Sequence, residues 1–574
     1  MANTPAQDQS RPADGVSYVR GSTTPALDDI TIPEFLARTV ERYGNQEAVV
    51  FCEPGLRWTW QDLQQRVDRF AAGLLSLGLY KGDRIGIWSP NRPEWVIAQF
   101  ATARIGLILV NINPAYRRHE LEFALNKVGA KALISASRFK SSSYIEMLQD
   151  LAPELSSAKP GHLKSDRLPE LTTVIHLGDE AVAGMYRFTD VAAMGEGANR
   201  TRLDAITAGL NPDDAINIQF TSGTTGTPKG ATLTHANVVN NARYCAMAMQ
   251  LTHEDRIAIP VPLYHCFGMV LGNLAAVSTG TVMVFPGEAF DPLQTLTALA
   301  DENCTAVHGV PTMFAAMLDH ERFGEFKLAS LRTGIMAGSP CPISLMKRVV
   351  SQMNASEITI AYGMTETSPV SFQSDTSDTL DRRVSTVGRI HPHVEVKIIN
   401  ETGNTVVVGE QGELLTRGYC VMKGYWGDPE TTAQAIDKDG WMHTGDLAVL
   451  DAEGYCNIVG RVKDMLIRGG ENVYPREIEE FLMSHPSIQQ AQVFGVPDQK
   501  YGEEVCAWIV LKPRQVMSGD DVRSHCQGQI AHYKIPRYMR FVSEFPMTVT
   551  GKPQKFVMRD KMIEDLGLKV DKTA

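Results

Sequence analysis

The chain has 574 residues, 43% of them apolar and 21% charged, which is the balance of an ordinary globular protein long enough for three or four domains or subdomains. Its 55 Lys and Arg against 66 Asp and Glu leave a formal charge of −11, which excludes nucleic acid as the principal partner and leaves room for local basic pockets around an anionic ligand. Nine cysteines without a single Cys-x-x-Cys pair exclude a disulfide framework and a zinc site, and read as reduced thiols of a cytoplasmic protein.

Residues 1–28, rich in Pro, Ser, Thr, Asp and Gln, predict a disordered tail and lack the apolar stretch of a signal peptide. Thr59 with Asp62 three positions on is a capping-box start. The helix it opens places Leu63, Val67, Phe70, Leu74 and Leu77 on one face. Short apolar runs follow at Ile85, Ile87 and Trp88 and at Ala132, Leu133 and Ile134, so helical and strand patterns alternate as in parallel α/β architecture. The most apolar stretches, Trp95 to Val110 and Met269 to Phe285, are broken by Arg104 and by Asn273 with several Ser, Thr and Gly, so no transmembrane segment is predicted.

From Val394 the pattern becomes hairpin-like. Val394, Val396 and Ile398 lead into a turn at Glu401 to Asn404, and Val406 to Val408 follow it, predicting a small β-rich subdomain over about 394–460. The last part predicts an independent α+β domain: a helix from Pro475 to Phe481, strands at Ala491 to Phe494 and Val505 to Leu511, and a helix around Val522 to Ala531.

The apolar run Ile216, Ile218, Phe220 delivers the loop Thr221, Ser222, Gly223, Thr224, Thr225, Gly226, Thr227, Pro228, Lys229, Gly230. Glycines and short hydroxyls let many N–H and O–H donors turn toward one polyanion, which makes a phosphate cradle. Pro228 before Lys229 separates it from the Gly-Lys-Ser/Thr ending of a P-loop. Taken alone, such a stretch reads equally as a flexible surface loop.

Further segments follow in order: Pro262 to Gly268, with His265; Gly338, Ser339 and Pro340; Tyr362, Gly363, Met364, Thr365, Glu366 and Thr367; Thr444, Gly445 and Asp446; Gly460 to Asp464, leading to Gly469, Gly470, Glu471 and Asn472; and Pro546 to Lys552. Together they resemble the adenylate-forming superfamily of acyl-CoA synthetases, luciferases and peptide-synthetase adenylation domains, from about residue 30 to about residue 560. Asn111 to Tyr116 and Val310 to Phe314 make the chain look most similar to medium-chain to long-chain fatty acyl-CoA synthetases.

The resemblance implies an α/β fold with a large N-terminal region over 29–462, built of two α/β subdomains and a small β-barrel. A mobile α+β lid over 463–574 would be joined at a hinge, Lys463 and Asp464. It implies adenylation of a carboxylic acid by ATP with Mg2+, release of pyrophosphate, and then thioester formation with CoA. A homodimer is left open.

In adenylation two anions meet and charge accumulates on pyrophosphate, so fixed donors and cations are what the chemistry needs. By resemblance the loop donors Thr221, Ser222, Gly223, Thr224, Thr225, Gly226 and Lys229 hold the β- and γ-phosphates. Glu366 ligates Mg2+, Thr365 donates to the α-phosphate, and Lys552 is a movable cation used in adenylation only. Asp446 would accept from the ribose hydroxyls with Arg461 nearby. Tyr362 and Gly363 on one side and Gly338 and Ser339 on the other would enclose adenine. Gly469, Gly470 and Glu471 would border the path of the CoA thiol, where a Cβ would obstruct. His265 stands beside the expected carboxylate site or serves as a satisfied core residue.

The acyl pocket is expected to involve His265, Met269, Val270, Gly272, Val310, Met336 and Ala337, an apolar set without fixed charge that suits an alkyl chain. The resemblance implies a medium-chain acid of roughly six to twelve carbons, with longer fatty acids left open, since each methylene contributes only about 0.8 kcal/mol and pocket depth decides chain length. The alternatives are an acyl-AMP ligase serving a carrier protein and a CoA ligase for a short thioether or aryl acid. A luciferase-type monooxygenase and a non-catalytic nucleotide-binding module share the scaffold.

Overall fold

The computed structural model describes residues 10–197, 200–221, 228–339, 341–462, 464–468, 471–498, 501–548 and 552–568. They fall into two compact units. The first comprises residues 10–11, Val19–Val396 and Thr416–Met442; the second comprises Pro12–Tyr18, Lys397–Leu415 and residues 443–568.

The first unit contains two large mixed sheets, in agreement with the expected α/β class. An eight-stranded sheet runs, edge to edge, Tyr186–Arg187, Thr173–His176, Ala132–Ser135, Arg84–Trp88, Ile108–Ile112, Ala215–Thr221, Lys229–Thr234, Gly424–Tyr425. It is parallel up to Ala215–Thr221 and antiparallel beyond. The nine-stranded sheet has Thr359–Gly363, Thr333–Ala337, Ala306–Gly309, Arg256–Ala258, Val282–Phe285 and Glu47–Phe51 as its parallel centre, with antiparallel strands at its edges. Parallel strands are covered on both faces, which is why Ile108–Ile112 is buried at every position, Asn111 included.

Local signals are met where they are short-range. Thr59 and Asp62 form the reciprocal cap of the helix Trp60–Ser76, and Leu63, Val67, Phe70 and Leu74 are its buried stripe. The expected disordered tail is corrected over 10–28. Tyr18–Arg20 is a strand with Val19 buried, Asn240 holds both the N–H and the C=O of Asp28, and the Tyr244 hydroxyl donates to Pro25 O. Sequence-distant polar groups order a segment that carries too few apolar residues to order itself. The remaining residues of that tail, 1–9, lie outside the described residues.

In the second unit, Ile488–Asp498 and Gly502–Leu511 form a long antiparallel pair, extended by Leu466–Arg468, Glu471–Val473 and Tyr538–Phe541 and packed by the helix Pro475–Met483. The helix expected around 522–531 spans Gly519–Cys526, starting at a Ser518–Asp521 capping box. A five-stranded sheet orders Tyr18–Arg20, Val394–Ile399, Gly412–Gly418, Met442–Leu450 and Cys456–Arg461. The expected hairpin closes at its turn, where Ile399 bridges Thr405 and Val406 N–H donates to Ile398 O at 3.0 Å, but the arm Val406 to Val408 is corrected: it forms no named strand, bonding instead to Gly15 and Ser17, and Gly412–Gly418 takes the place beside Val394–Ile399. Val406 is buried and Val407 exposed.

Candidate active site

In the first unit the expected site segments leave the carboxyl ends of parallel strands, where open α/β sheets bind ligands. Thr221 ends Ala215–Thr221, Val310 follows Ala306–Gly309, Gly338 follows Thr333–Ala337, and Thr365 and Glu366 follow Thr359–Gly363. Ser222, Gly223, Thr224, Thr225 and Gly226 lie outside the described residues, as does Pro340.

Glu366 is buried in the short 3-10 turn Thr365–Thr367, where its carbonyl accepts from Met422 N–H at 2.9 Å. Its Oε1 accepts from the Thr221 hydroxyl at 3.1 Å and from the Tyr425 hydroxyl at 2.9 Å. Lys229 places its ammonium 5.2 Å from the centre of the Tyr425 ring. Burial, reinforced by the adjacent carboxylate, raises the Tyr425 pKa, so the phenol stays protonated and donates. A carboxylate, two hydroxyls and an ammonium thus meet at the strand end from which the Gly/Ser/Thr loop departs. This donor set of carboxylate and hydroxyl oxygens, without thiolate or imidazole, fits Mg2+, which takes one or two carboxylates and completes its shell with phosphate oxygens and water. Thr365 is buried beside Glu366.

Gly363 ends its strand against Val370, and a Cβ there would lie 1.8 Å from Pro369 O, so only glycine permits the turn into Thr365–Thr367. Tyr362 precedes it half-buried, its ring 6.1 Å from that of Phe372. Gly338 has φ +90°, and Ser339 is half-buried beside it.

Met269, Val270, Gly272, Val310 and Met336 are buried and Ala337 is half-buried. Met269 to Leu274 form a π-helix. His265 is half-buried and caps the short turn before it, its Nδ1 accepting from Phe267 N–H at 3.2 Å.

Beneath this segment lies a buried polar network that no spacing rule singled out. Asn111 Nδ2 donates to Tyr264 O at 2.8 Å and Gln219 Oε1 accepts from Cys266 N–H at 3.0 Å, so both hold the backbone on either side of His265. Asn217 links the two, donating to Asn111 Oδ1 at 2.9 Å and accepting from Gln219 Nε2 at 2.9 Å. The signal was Asn217 and Gln219 alternating with Ile216, Ile218 and Phe220: in a sheet covered on both faces, such polar residues need partners. Tyr425, also missed, carries no local signal, since its role depends on an edge strand about 60 residues after Glu366.

In the second unit Asp446 is buried, and its Oδ1 accepts from Arg461 Nε at 3.0 Å across the antiparallel pair in which the two residues face each other. The Thr444 hydroxyl donates to Leu414 O at 2.7 Å and accepts from Asp446 N–H at 3.1 Å, fixing the turn. Lys552 is exposed in a loop closed by its N–H to the Thr548 hydroxyl at 2.9 Å and by Thr548 N–H to its carbonyl at 2.7 Å. Lys463, Gly469 and Gly470 lie outside the described residues; Asp464 is half-buried, and Glu471 opens the strand Glu471–Val473. Arg468, just before Gly469, is held by the fully buried Glu504 carboxylate.

Among the described residues, no helix is long and apolar enough to cross a membrane. Residues 36–426 match the family model for AMP-binding enzyme, and residues 477–552 that for the AMP-binding enzyme C-terminal domain. YngI of Bacillus subtilis is 50% identical over 539 residues, covering 94% of this chain and 98% of that protein. The medium-chain acyl-CoA ligase ACSF2 (mitochondrial) of Danio rerio is 48% identical over 555 residues, covering 96% of this chain and 91% of the relative. Among solved structures, the anthranilate CoA ligase AuaEII superposes with a TM-score of 0.81 at 26% identity, over 94% of this chain and 98% of that one. ATP-bound MatB from Rhodopseudomonas palustris superposes at 0.80 with 28% identity, over 93% and 99%.

Proposed function

Because the chain belongs to the family of AMP-binding enzymes, we propose that it joins a medium-chain fatty acid to CoA, using ATP and releasing pyrophosphate and then AMP. The observation that carries this is the Thr221, Glu366, Tyr425 and Lys229 cluster at the head of the phosphate-loop strand, within a chain matched nearly end to end by a medium-chain acyl-CoA ligase.

Attack of the carboxylate on the α-phosphorus brings like charges together, so the protein's task is electrostatic. Glu366 and Thr221 would hold Mg2+ with phosphate oxygens, and the ion supplies charge neutralisation on the departing pyrophosphate. Tyr425 keeps the Glu366 carboxylate aimed by donating to it, and Lys229 adds positive charge beside the loop. Thr365 donates to the α-phosphate and Lys552 offsets the charge of the adenylation step. Asp446, oriented by Arg461, accepts from the ribose hydroxyls, while Tyr362, Gly363, Gly338 and Ser339 frame the base. Thioester formation needs mainly orientation and exclusion of water, because an acyl-adenylate is already activated. The acyl chain lies among Met269, Val270, Gly272, Val310, Met336 and Ala337. Nine free cysteines suit a reducing compartment such as the cytoplasm.

The test is pyrophosphate release with ATP, Mg2+ and a panel of carboxylic acids, with and without CoA. Turnover that rises with CoA and peaks at medium-chain acids is expected. Dependence on a carrier protein in place of CoA, or a preference for aryl or short thioether acids, would overturn the reading.

A further inference from the structure

We propose that His308 is a positioning residue that sets which acyl chains the enzyme accepts, by fastening the π-helix Met269–Leu274 to the strand Thr333–Ala337 through one imidazole. The proposal rests on the reading of Met269, Val270, Gly272, Val310 and Met336 as walls of the acyl pocket.

His308 stands in the strand Ala306–Gly309, fully buried, two residues before Val310. Its Nδ1 accepts from Ile335 N–H at 3.2 Å, so the proton of the neutral ring sits on Nε2, which donates to Leu271 O at 2.8 Å. Burial pushes its pKa down to about 4, which keeps the ring neutral with one donor and one acceptor. Ile335 immediately precedes Met336, and Leu271 lies between Val270 and Gly272. The imidazole therefore fixes the backbone of two pocket walls and stands beside a third.

A π turn is rare and occurs mostly as a single turn, frequently at functional sites, and here side chains from other elements hold its backbone. Gln99 supplies a second fastening, its Nε2 donating to Met269 O at 3.1 Å while its Oε1 accepts from Asn273 Nδ2 at 2.7 Å. Gly272 lies against Ile259, where an added Cβ would stand 3.0 Å from Cδ1. With Leu271 O released, the π-helix loses one of its two fastenings, and a shift of Val270 or Gly272 changes the depth available to an alkyl chain.

The experiment compares kcat/KM for hexanoic, octanoic, decanoic and dodecanoic acids, and KM for ATP, in wild type and in His308→Leu, His308→Asn and His308→Gln. Glutamine offers a donor and an acceptor at nearly the imidazole separation and should keep the wild-type profile. Leucine offers neither, and asparagine is too short to reach Leu271 O. Both should shift the dodecanoic to hexanoic ratio of kcat/KM by about tenfold, with KM for ATP within about twofold of wild type. H308N removes one hydrogen bond rather than two, and carries the test if H308L does not fold. An unchanged ratio in H308N overturns the proposal, as does a uniform loss across all acids and ATP. Failure of the underlying reading is seen separately, as absence of CoA-dependent pyrophosphate release by the wild type with every acid.

Discussion

In the proposed reaction some residues act on charge and others aim those that do. Tyr425 belongs to the second kind: its hydroxyl, 2.9 Å from Glu366 Oε1, fixes one carboxylate oxygen. Tyr425→Phe keeps the ring that faces Lys229 and removes only that bond. Adenylation should slow about tenfold, a loss of roughly 1.4 kcal/mol, typical of one hydrogen bond to a charged acceptor, with the folded state retained by circular dichroism. Lys552 belongs to the first kind. Lys552→Ala should abolish acyl-adenylate formation, followed as pyrophosphate release, and leave thioester formation from supplied acyl-adenylate largely intact. Equal loss of both half-reactions would remove it from the adenylation step.

At the scale of elements, the site depends on how strands end. The strand Thr359–Gly363 must turn sharply into Thr365–Thr367 while still pairing with Val370–Gln373, and this leaves no space for a Cβ at Gly363. Gly363→Ala should displace Pro369 or break the pairing, lowering the denaturation midpoint by the equivalent of about 3 kcal/mol and removing adenylation with it. A wild-type midpoint in this variant would show that the strand end yields without strain. Legibility followed the range of the interaction. The capping boxes at Thr59 and Ser518 both act within four residues; the first was read from the sequence, while the second was missed and starts its helix at Gly519 instead of around Val522. The order of 10–28 depends on Asn240 and Tyr244, more than two hundred residues away, and was invisible.

At the scale of the whole molecule, burial of neutral imidazoles makes stability depend on pH. His235 and His308 are held at about 4 and His391 at about 3, against an ordinary 6.5, in each case first by burial. The folded values lie below the unfolded one, so between them the unfolded chain binds more protons. Stability is complete above about pH 6.5 and is lost as pH falls toward 4. Near pH 5 each histidine should remove about 2 kcal/mol relative to neutral pH, read as a falling urea midpoint. His308→Gln should flatten that fall; a variant with the wild-type pH dependence would show that His308 is not titrating this way.

The amino-acid order alone determined the α/β class and the motif series that marks the family, and through that resemblance it put forward Glu366, Asp446 and Lys552 as candidates for the chemistry, because loop composition and motif order are properties of neighbours along the chain. Only the tertiary structure decided that Tyr425 would aim Glu366, that Asn111, Asn217 and Gln219 would brace the backbone around His265, and that His308 would fasten a π-helix to a distant strand. Those roles arise because burial between sheet and helix leaves each polar group no water, so its partner is whatever the packing brings within about 3 Å.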